Sequence, residues 1–320
     1  MSYRIVQSKQ NARLKELRQA LAHPGRNPRG LAGIEGPNLL AEALSAGLRI
    51  ETVFVAEGAE ALATSLPLPH SSERLLLPKA LLDSALATET PQPIAALIVP
   101  PAWTWGDLLP AQDSRAPSLR PPLAQGRETE DAQEADAPLL LVLAGLQDPG
   151  NLGTILRSAE AFGATGVVSL PGTVSPWNQK AVRASAGSLF RLPLLSATVE
   201  DAFSRLRQAG VCIFTTAVEG AEAAHRADLA GPTAILIGNE GNGVPAEIAA
   251  LADAALTIPC PGPVESLNAS IAASILLYEA SRQRSCADGE RTPSPILAPS
   301  SGARVGYPEG RKARPARSRP

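Results

Sequence analysis

The sequence predicts an α/β protein in two unequal parts, the larger built on a parallel, doubly wound sheet. Three observations carry that prediction. Short apolar runs alternate with stretches of helical periodicity along most of the 320 residues. Two apolar runs, Leu139–Ala144 and Thr233–Ile237, are each followed by a glycine-rich turn and then a helix. Such βα units expose their strand carboxyl ends to ligands. Between the two parts, residues 101–137 carry recurring prolines and an acidic run from Glu128 to Asp136, and apolar periodicity stops at Leu109. That composition reads as an extended, flexible linker.

The first part covers residues 1–100. Residues 9–22 set Leu14, Leu17 and Leu21 on one helical stripe flanked by basic side chains. Leu31–Glu35 reads as a short strand, and Gly36-Pro37-Asn38 opens a helix ending near Gly47. Strands follow at Thr52–Ala56, Arg74–Leu77 and Ile94–Val99, with helices near 59–65 and 78–86. The result is a small α/β unit without a catalytic cluster. His23 and His70 fall in loops and read as solvated. Trp103 and Trp105, just beyond, are expected to pack onto this unit.

The second part covers residues 138–284. After the buried strand Leu139–Ala144, the turn Gly145-Leu-Gln-Asp-Pro-Gly-Asn-Leu-Gly153 leads into a helix over Thr154–Phe162. Leu152, Ile155, Leu156 and Ala159 make its apolar stripe, so Arg157 points away from the core. A strand at Gly166–Leu170, a helical segment at Trp177–Phe190 and a strand at Leu192–Leu195 come next. A helix at Val199–Gln208 and strands at Val211–Thr216 and Thr233–Ile237 continue the pattern. Gly238 to Pro245 then leads into another helix. The apolar run Ala255–Ile258 stops at Pro259, Pro261 and Pro263, which stiffen the loop and remove three backbone donors. Ser266-Leu267-Asn268 opens a helix of small residues, whose free N–H groups suit a polar ligand or, more plainly, a serine N-cap. Residues 285–320 have the composition of a disordered basic tail.

Composition narrows the function. The formal charge of −2 conceals two basic ends. Residues 1–30 hold seven Lys/Arg against one acid, and residues 291–320 hold seven against Glu309. Basic ends on an acidic body suit a polyanionic partner, or simply solvate the termini. Cys212, Cys260 and Cys286 include no C-x-x-C pair, which argues against zinc and disulfides and for a reducing cytoplasm. The first residues lack the apolar core of a signal peptide, and the strongest apolar run, Leu139–Leu146, is too short for a bilayer. A soluble cytoplasmic protein without metal is expected. The Gly-Lys-Ser/Thr of a P-loop is missing, and Gly238-x-x-Gly241-x-Gly243 reverses the gaps of the dinucleotide fingerprint. Glu240 in that loop would repel a phosphate but tolerate a cationic cofactor.

Three segments go further: Asn151-Leu-Gly-Thr-Ile-Leu-Arg-Ser-Ala-Glu-Ala-Phe-Gly163, Ile235-Leu-Ile-Gly-Asn-Glu-Gly-Asn-Gly-Val-Pro245, and Ile258-Pro259 with Glu265-Ser-Leu-Asn-Ala-Ser270. They resemble, in order and spacing, the motifs of the SpoU/TrmH-type RNA ribose 2′-O-methyltransferases, of the SPOUT class. Residues 1–100 resemble the small substrate-binding domain often fused to such enzymes. The resemblance implies a parallel-sheet methyltransferase domain with a C-terminal trefoil knot. It implies S-adenosylmethionine bound by Gly238, Ile258 and Leu267, with Asn239 and Pro259 beside them. Asn151, Arg157, Glu240, Ser266 and Asn268 would surround the reacting centre. A homodimer is implied too, with arginines of one subunit reaching the partner's site. The expected substrate is ribosomal RNA. A tRNA enzyme, or a non-catalytic RNA-binding or ribosome-assembly protein with this fold, are the alternatives.

Overall fold

The computed structural model describes residues 3–22, 25–86, 88–109, 137–217, 220–263 and 266–287. The acidic run of the linker, the basic tail beyond Ala287, His23 and Glu265 lie outside these residues.

The first unit contains β1 (Arg4–Ile5), α1 (Ala12–Leu21), β2 (Ala32–Glu35), α2 (Pro37–Ser45), β3 (Ile50–Ala56), α3 (Glu60–Thr64), β4 (Glu73–Leu77), α4 (Lys79–Asp83) and β5 (Ile94–Ile98). Its sheet has the order β1-β4-β3-β5-β2, with β1 and β3 parallel to β4, and β5 antiparallel to β3 and β2. Leu14, Leu17 and Leu21 are buried on α1, as their spacing predicts. The basic residues around them are less free than a charge count suggests. Arg13 pairs with Glu16 and Glu73, Arg29 with Glu16 and Glu51, and Arg4 with Glu73. Each such surface pair adds little stability, but together they mute the positive field of this end.

Next comes α5 (Trp105–Leu108), inside the stretch read as linker. Thr104 and Asp107 form its capping box. Trp105 does not pack onto the first unit as expected. Its indole N–H donates to Asp201 at 3.2 Å, Arg205 stacks 5.5 Å from its ring, and Leu108 is buried in the core of the second unit.

The second unit contains β6 (Leu139–Leu143), α6 (Pro149–Ala161), β7 (Gly166–Ser169), α7 (Gln179–Ala184), α8 (Ser188–Arg191), β8 (Leu194–Ser196), α9 (Val199–Gln208), β9 (Cys212–Thr216), β10 (Glu222–Ala223), β11 (Thr233–Ile237), α10 (Ala246–Ala249), β12 (Ala254–Thr257) and α11 (Ala269–Ala287). Every pairing in its sheet is parallel, in the order β10-β12-β9-β11-β6-β7-β8. The helix expected over Trp177–Phe190 is two helices. Ala186 and Gly187 adopt positive φ, +48° and +92°, and break it. From β6 the chain moves outward through β7 and β8, then returns to build the other side from β9. Loops after β6 and β11 therefore diverge at a switch point, where open α/β sheets form their ligand crevice.

A single apolar cluster runs from the first unit (Ile34, Leu40, Ile98) into the second (Leu141, Ile155, Phe190). Gln179 donates to the Gly33 carbonyl at 2.9 Å across the seam. Arg191 bridges Glu42 of α2 and Glu160 of α6, both at 2.5 Å. Burial pushes the Glu160 carboxyl up, but the bonds from Arg191 and Ser188 outweigh it and hold the group below the ordinary glutamate value.

Candidate active site

Three loops converge at the switch point, one after each of β6, β11 and β12. The first leads into α6, which starts five residues earlier than its apolar periodicity suggests. Asp148 accepts the Asn151 N–H at 2.9 Å as N-cap, and Pro149 takes the first helical position. Asn151 is therefore not a cap, and its amide is free to reach out. Lys180 of α7 closes on Asp148 at 2.8 Å. That bond, followed by the Asn151 N–H, lowers the Asp148 pKa. The two helices approach closely because of Gly153, where a Cβ would meet the Ala181 carbonyl and the Ala184 methyl at 2.5 Å.

The second loop is folded back on itself. Asn239 and Gly243 exchange backbone hydrogen bonds of 2.8 and 2.9 Å, and Asn239 donates from its side chain to the Gly145 carbonyl at 3.1 Å. Gly238 is buried beneath this fold, where a Cβ would lie 2.0 Å from the Gly243 carbonyl carbon. Glu240 turns towards the first loop. Its carboxylate accepts the N–H groups of Gln147 (3.2 Å) and Asp148 (3.0 Å) and the Asn151 amide (3.0 Å). The third loop brings Asn268, which donates to the Asn151 side-chain oxygen at 3.1 Å. Asn268 also accepts the Ser270 N–H at 2.9 Å, so Asn268, not Ser266, caps α11.

Glu240, Asn151 and Asn268 thus form one hydrogen-bonded chain across all three loops. Around it, Gly238 is buried, Asn239, Ile258 and Leu267 are half-buried, and Pro259 is exposed. Ser266 and Arg157 are exposed and make no hydrogen bond among the described residues. Arg157 therefore does not join the chain within one subunit. Sequence reasoning missed Gln147 and Asp148. The dipeptide Asp148-Pro149 is an N-cap signal that would have found the helix start.

Burial raises the Glu240 pKa, but hydrogen bonds from Asn151, Asp148 and Gln147 outweigh it and leave the value below that of a free glutamate. A depressed folded-state pKa stabilises above the unfolded value and is lost as pH falls through the folded one. The contact is complete at neutral pH and weakens only as pH falls below the ordinary glutamate range. Glu240→Gln should cost about 1 kcal/mol at pH 7, after allowance for solvent screening, and the difference from wild type should shrink as pH falls below the ordinary glutamate range. Thermal melts of both proteins across that range check it, and a pH-independent difference would count against this role.

None of residues 238–245 and 256–268 is basic. Backbone carbonyls, half-buried Ile258 and Leu267, and the nearby carboxylate suit a cofactor with an apolar ring and a positive centre. Among the described residues no group of His, Cys, Asp and Glu could hold a metal ion.

Comparison with known proteins agrees with this geometry. The profile of the SpoU rRNA Methylase family matches residues 138–278, and that of the MRM3-like substrate binding domain matches residues 11–96. A Synechocystis protein named an uncharacterized tRNA/rRNA methyltransferase is 31% identical over 284 residues, 87% of this chain and 94% of its own. The chain belongs to the SpoU rRNA methylase family. The 23S rRNA (guanosine(2553)-2′-O)-methyltransferase RlmP of Bacillus subtilis is 28% identical over 85% of this chain and 97% of its own. The crystal structure of an AdoMet-bound rRNA methyltransferase from Sinorhizobium meliloti superposes with a TM-score of 0.72, at 28% identity, covering 88% of this chain and 98% of that one. The α/β fold and its parallel sheet are those of the SpoU methyltransferases.

Proposed function

We propose that this protein is an S-adenosylmethionine-dependent methyltransferase acting on a ribose 2′-hydroxyl of ribosomal RNA. The observation that carries the reading is the Glu240–Asn151–Asn268 chain, which ties the three loops together beside Gly238, Ile258 and Leu267. S-adenosylmethionine supplies a methyl group on a sulfonium centre. The loop backbones and the half-buried Ile258 and Leu267 hold it and keep water out. Glu240 fixes the first loop by its three N–H contacts, and Asn151 and Asn268 fix each other, so the acceptor side is preorganised. Opposite charges cancel as alkoxide character meets a sulfonium, which favours a dry, low-dielectric pocket. Alignment of oxygen, carbon and sulfur supplies much of the rate. A guanidinium stays protonated at working pH. We therefore assign Arg157 to gripping the RNA phosphate and orienting the hydroxyl, with the proton passing towards that phosphate.

A homodimer completes this site. Ile271, Ile275 and Tyr278 are 52%, 38% and 54% exposed and share one face of α11 at helical spacing. A second copy covering that stripe would also carry Arg157 towards the partner's loops. Light scattering should find wild type as a dimer and Ile275→Glu as a monomer, and a monomeric wild type would overturn the assignment. We also infer that α11 threads the trefoil knot. Its start is held at α6 by Asn268–Asn151 and by Ser274–Ser158 at 2.7 Å. Its end is gripped by residues 227–231 through Gln283 and Arg284. The small side chains Ala273 and Ala280, both fully buried, leave room for that threading. A crystal structure with α11 lying outside the loop would overturn it.

Among the described residues no helix is long and apolar enough to cross a membrane. The RNA substrate and the free thiols Cys212 and Cys260 favour the cytoplasm. The decisive experiment maps ribose methylation in total RNA with and without this gene. Loss of one ribosomal mark is expected. Loss of a tRNA mark would move the substrate, and loss of none would sink the reading.

A further inference from the structure

The seam between the two units holds a cleft of about 380 Å³ at the far edge of the sheet from α11. It has contributions from both units: Arg26 from the first, Trp103 from the connecting segment, and Trp177, Leu194 and Ser196 from the second. Two of its side chains have unused capacity. The Arg26 guanidinium lies 5.2 Å from the Trp177 ring centre but makes no hydrogen bond or ion pair among the described residues. Trp103, half-buried, makes no hydrogen bond or ring contact among them either. Trp105, two residues on, has its N–H and its ring face fully employed by Asp201 and Arg205. The cleft thus carries a half-buried indole and a guanidinium whose N–H groups are unbonded among the described residues, a stacking surface and a cation in one small hollow.

That cleft is not isolated from the candidate active site. Ser196 lines both it and a second hollow formed by Ser169–Thr173 and Ser196–Thr198, at the carboxyl ends of β7 and β8. The second hollow touches the loop after β6. The Gly172 carbonyl accepts from Gln147 at 2.5 Å, and Thr173 accepts the Gly145 N–H at 3.1 Å. Gln147 in turn donates its N–H to Glu240. A track therefore follows the strand ends from β8 through β7 to β6, spanning two strand spacings, on the order of 10 Å.

We propose that the seam cleft binds one unpaired nucleobase of the RNA strand whose ribose is methylated. The base stacks on Trp103 while Arg26 meets the adjoining phosphate, as in single-strand binders that combine an aromatic platform with a cation. The bound base belongs to a nucleotide close to the target, because the track is short. This rests on the reading that the substrate is RNA. It adds that recognition needs an unpaired neighbour, and that both units must contribute to the contact.

Fluorescence anisotropy with the full chain tests it, using one labelled oligoribonucleotide as a single strand and as a duplex at low salt. Trp103→Ala should weaken single-strand binding about tenfold, the size of one lost base stack, and leave duplex binding within about twofold. Trp103→Phe should bind like wild type, and Arg26→Gln should lose several-fold on the single strand. S-adenosylmethionine affinity, measured by calorimetry, should be unchanged in all three, which also shows that they fold. Equal losses on single strand and duplex, or no loss on the single strand, would overturn the nucleobase site and leave the methyltransferase reading standing. A wild type that binds the cofactor but neither RNA would overturn both.

Discussion

Arg157→Ala is expected to lower kcat for methyl transfer by about 10²–10³-fold, the usual effect of removing one preorganised electrostatic group. Neither stability nor S-adenosylmethionine affinity should change, because the side chain is exposed on α6 and bonds to nothing among the described residues. Arg157→Lys discriminates further. Lysine keeps the charge but loses the planar fork that grips a phosphate through two hydrogen bonds. Near-full turnover of this variant at saturating RNA would show that the fork is not needed. A pH–rate profile of the two proteins completes the test. If Arg157 positions substrate without exchanging a proton, the lysine variant keeps the wild-type profile at a lower plateau.

Gly238→Ala should act on the other half of the reaction. The added methyl would sit 2.0 Å from the Gly243 carbonyl carbon and 2.1 Å from the Val244 nitrogen, and both are backbone atoms with no rotamer to yield. Relief requires the 239–243 turn to open, breaking the paired Asn239–Gly243 bonds and moving Asn239 off the Gly145 carbonyl. Overpacking of this kind costs about 3 kcal/mol. Cofactor affinity should fall by about 100-fold or more, together with thermal stability. Calorimetric titration with S-adenosylmethionine reads the first effect. Wild-type affinity in this variant would mean that the turn is not part of the cofactor cradle.

Some elements were legible in the sequence because several local signals agreed. Helix α9 runs over Val199–Gln208 as read, since Thr198 caps it, Glu200 and Asp201 begin it, and Arg205 and Arg207 close it. The parallel sheet was legible from wholly buried runs such as Leu139–Leu143. Strands β1 and β10 were not, because two residues carry no periodicity. The docking of Trp105 was hidden for another reason: its partner Asp201 lies 96 residues away. In the site, motifs pointed to residue types but not to their contacts. Glu240 reads as a loop acid, yet it holds together a turn some ninety residues earlier in the chain. Only the parallel pairing of β6 with β11 brings these groups within reach.

The position of β12 has a consequence for how this protein comes into being. β12 is the last strand among the described residues, yet it lies between β9 and β10, which do not touch each other in the sheet. A nascent chain that stops before Ala254 leaves β10 without a neighbour and the slot beside β9 empty. The half-buried Ile258 and the cap at Asn268 come later still. Domains usually fold as they leave the ribosome, from the amino end onward. Here the first unit can close early, while the catalytic unit must wait for its own final helix. The three-loop site is therefore complete only once α11 has been made.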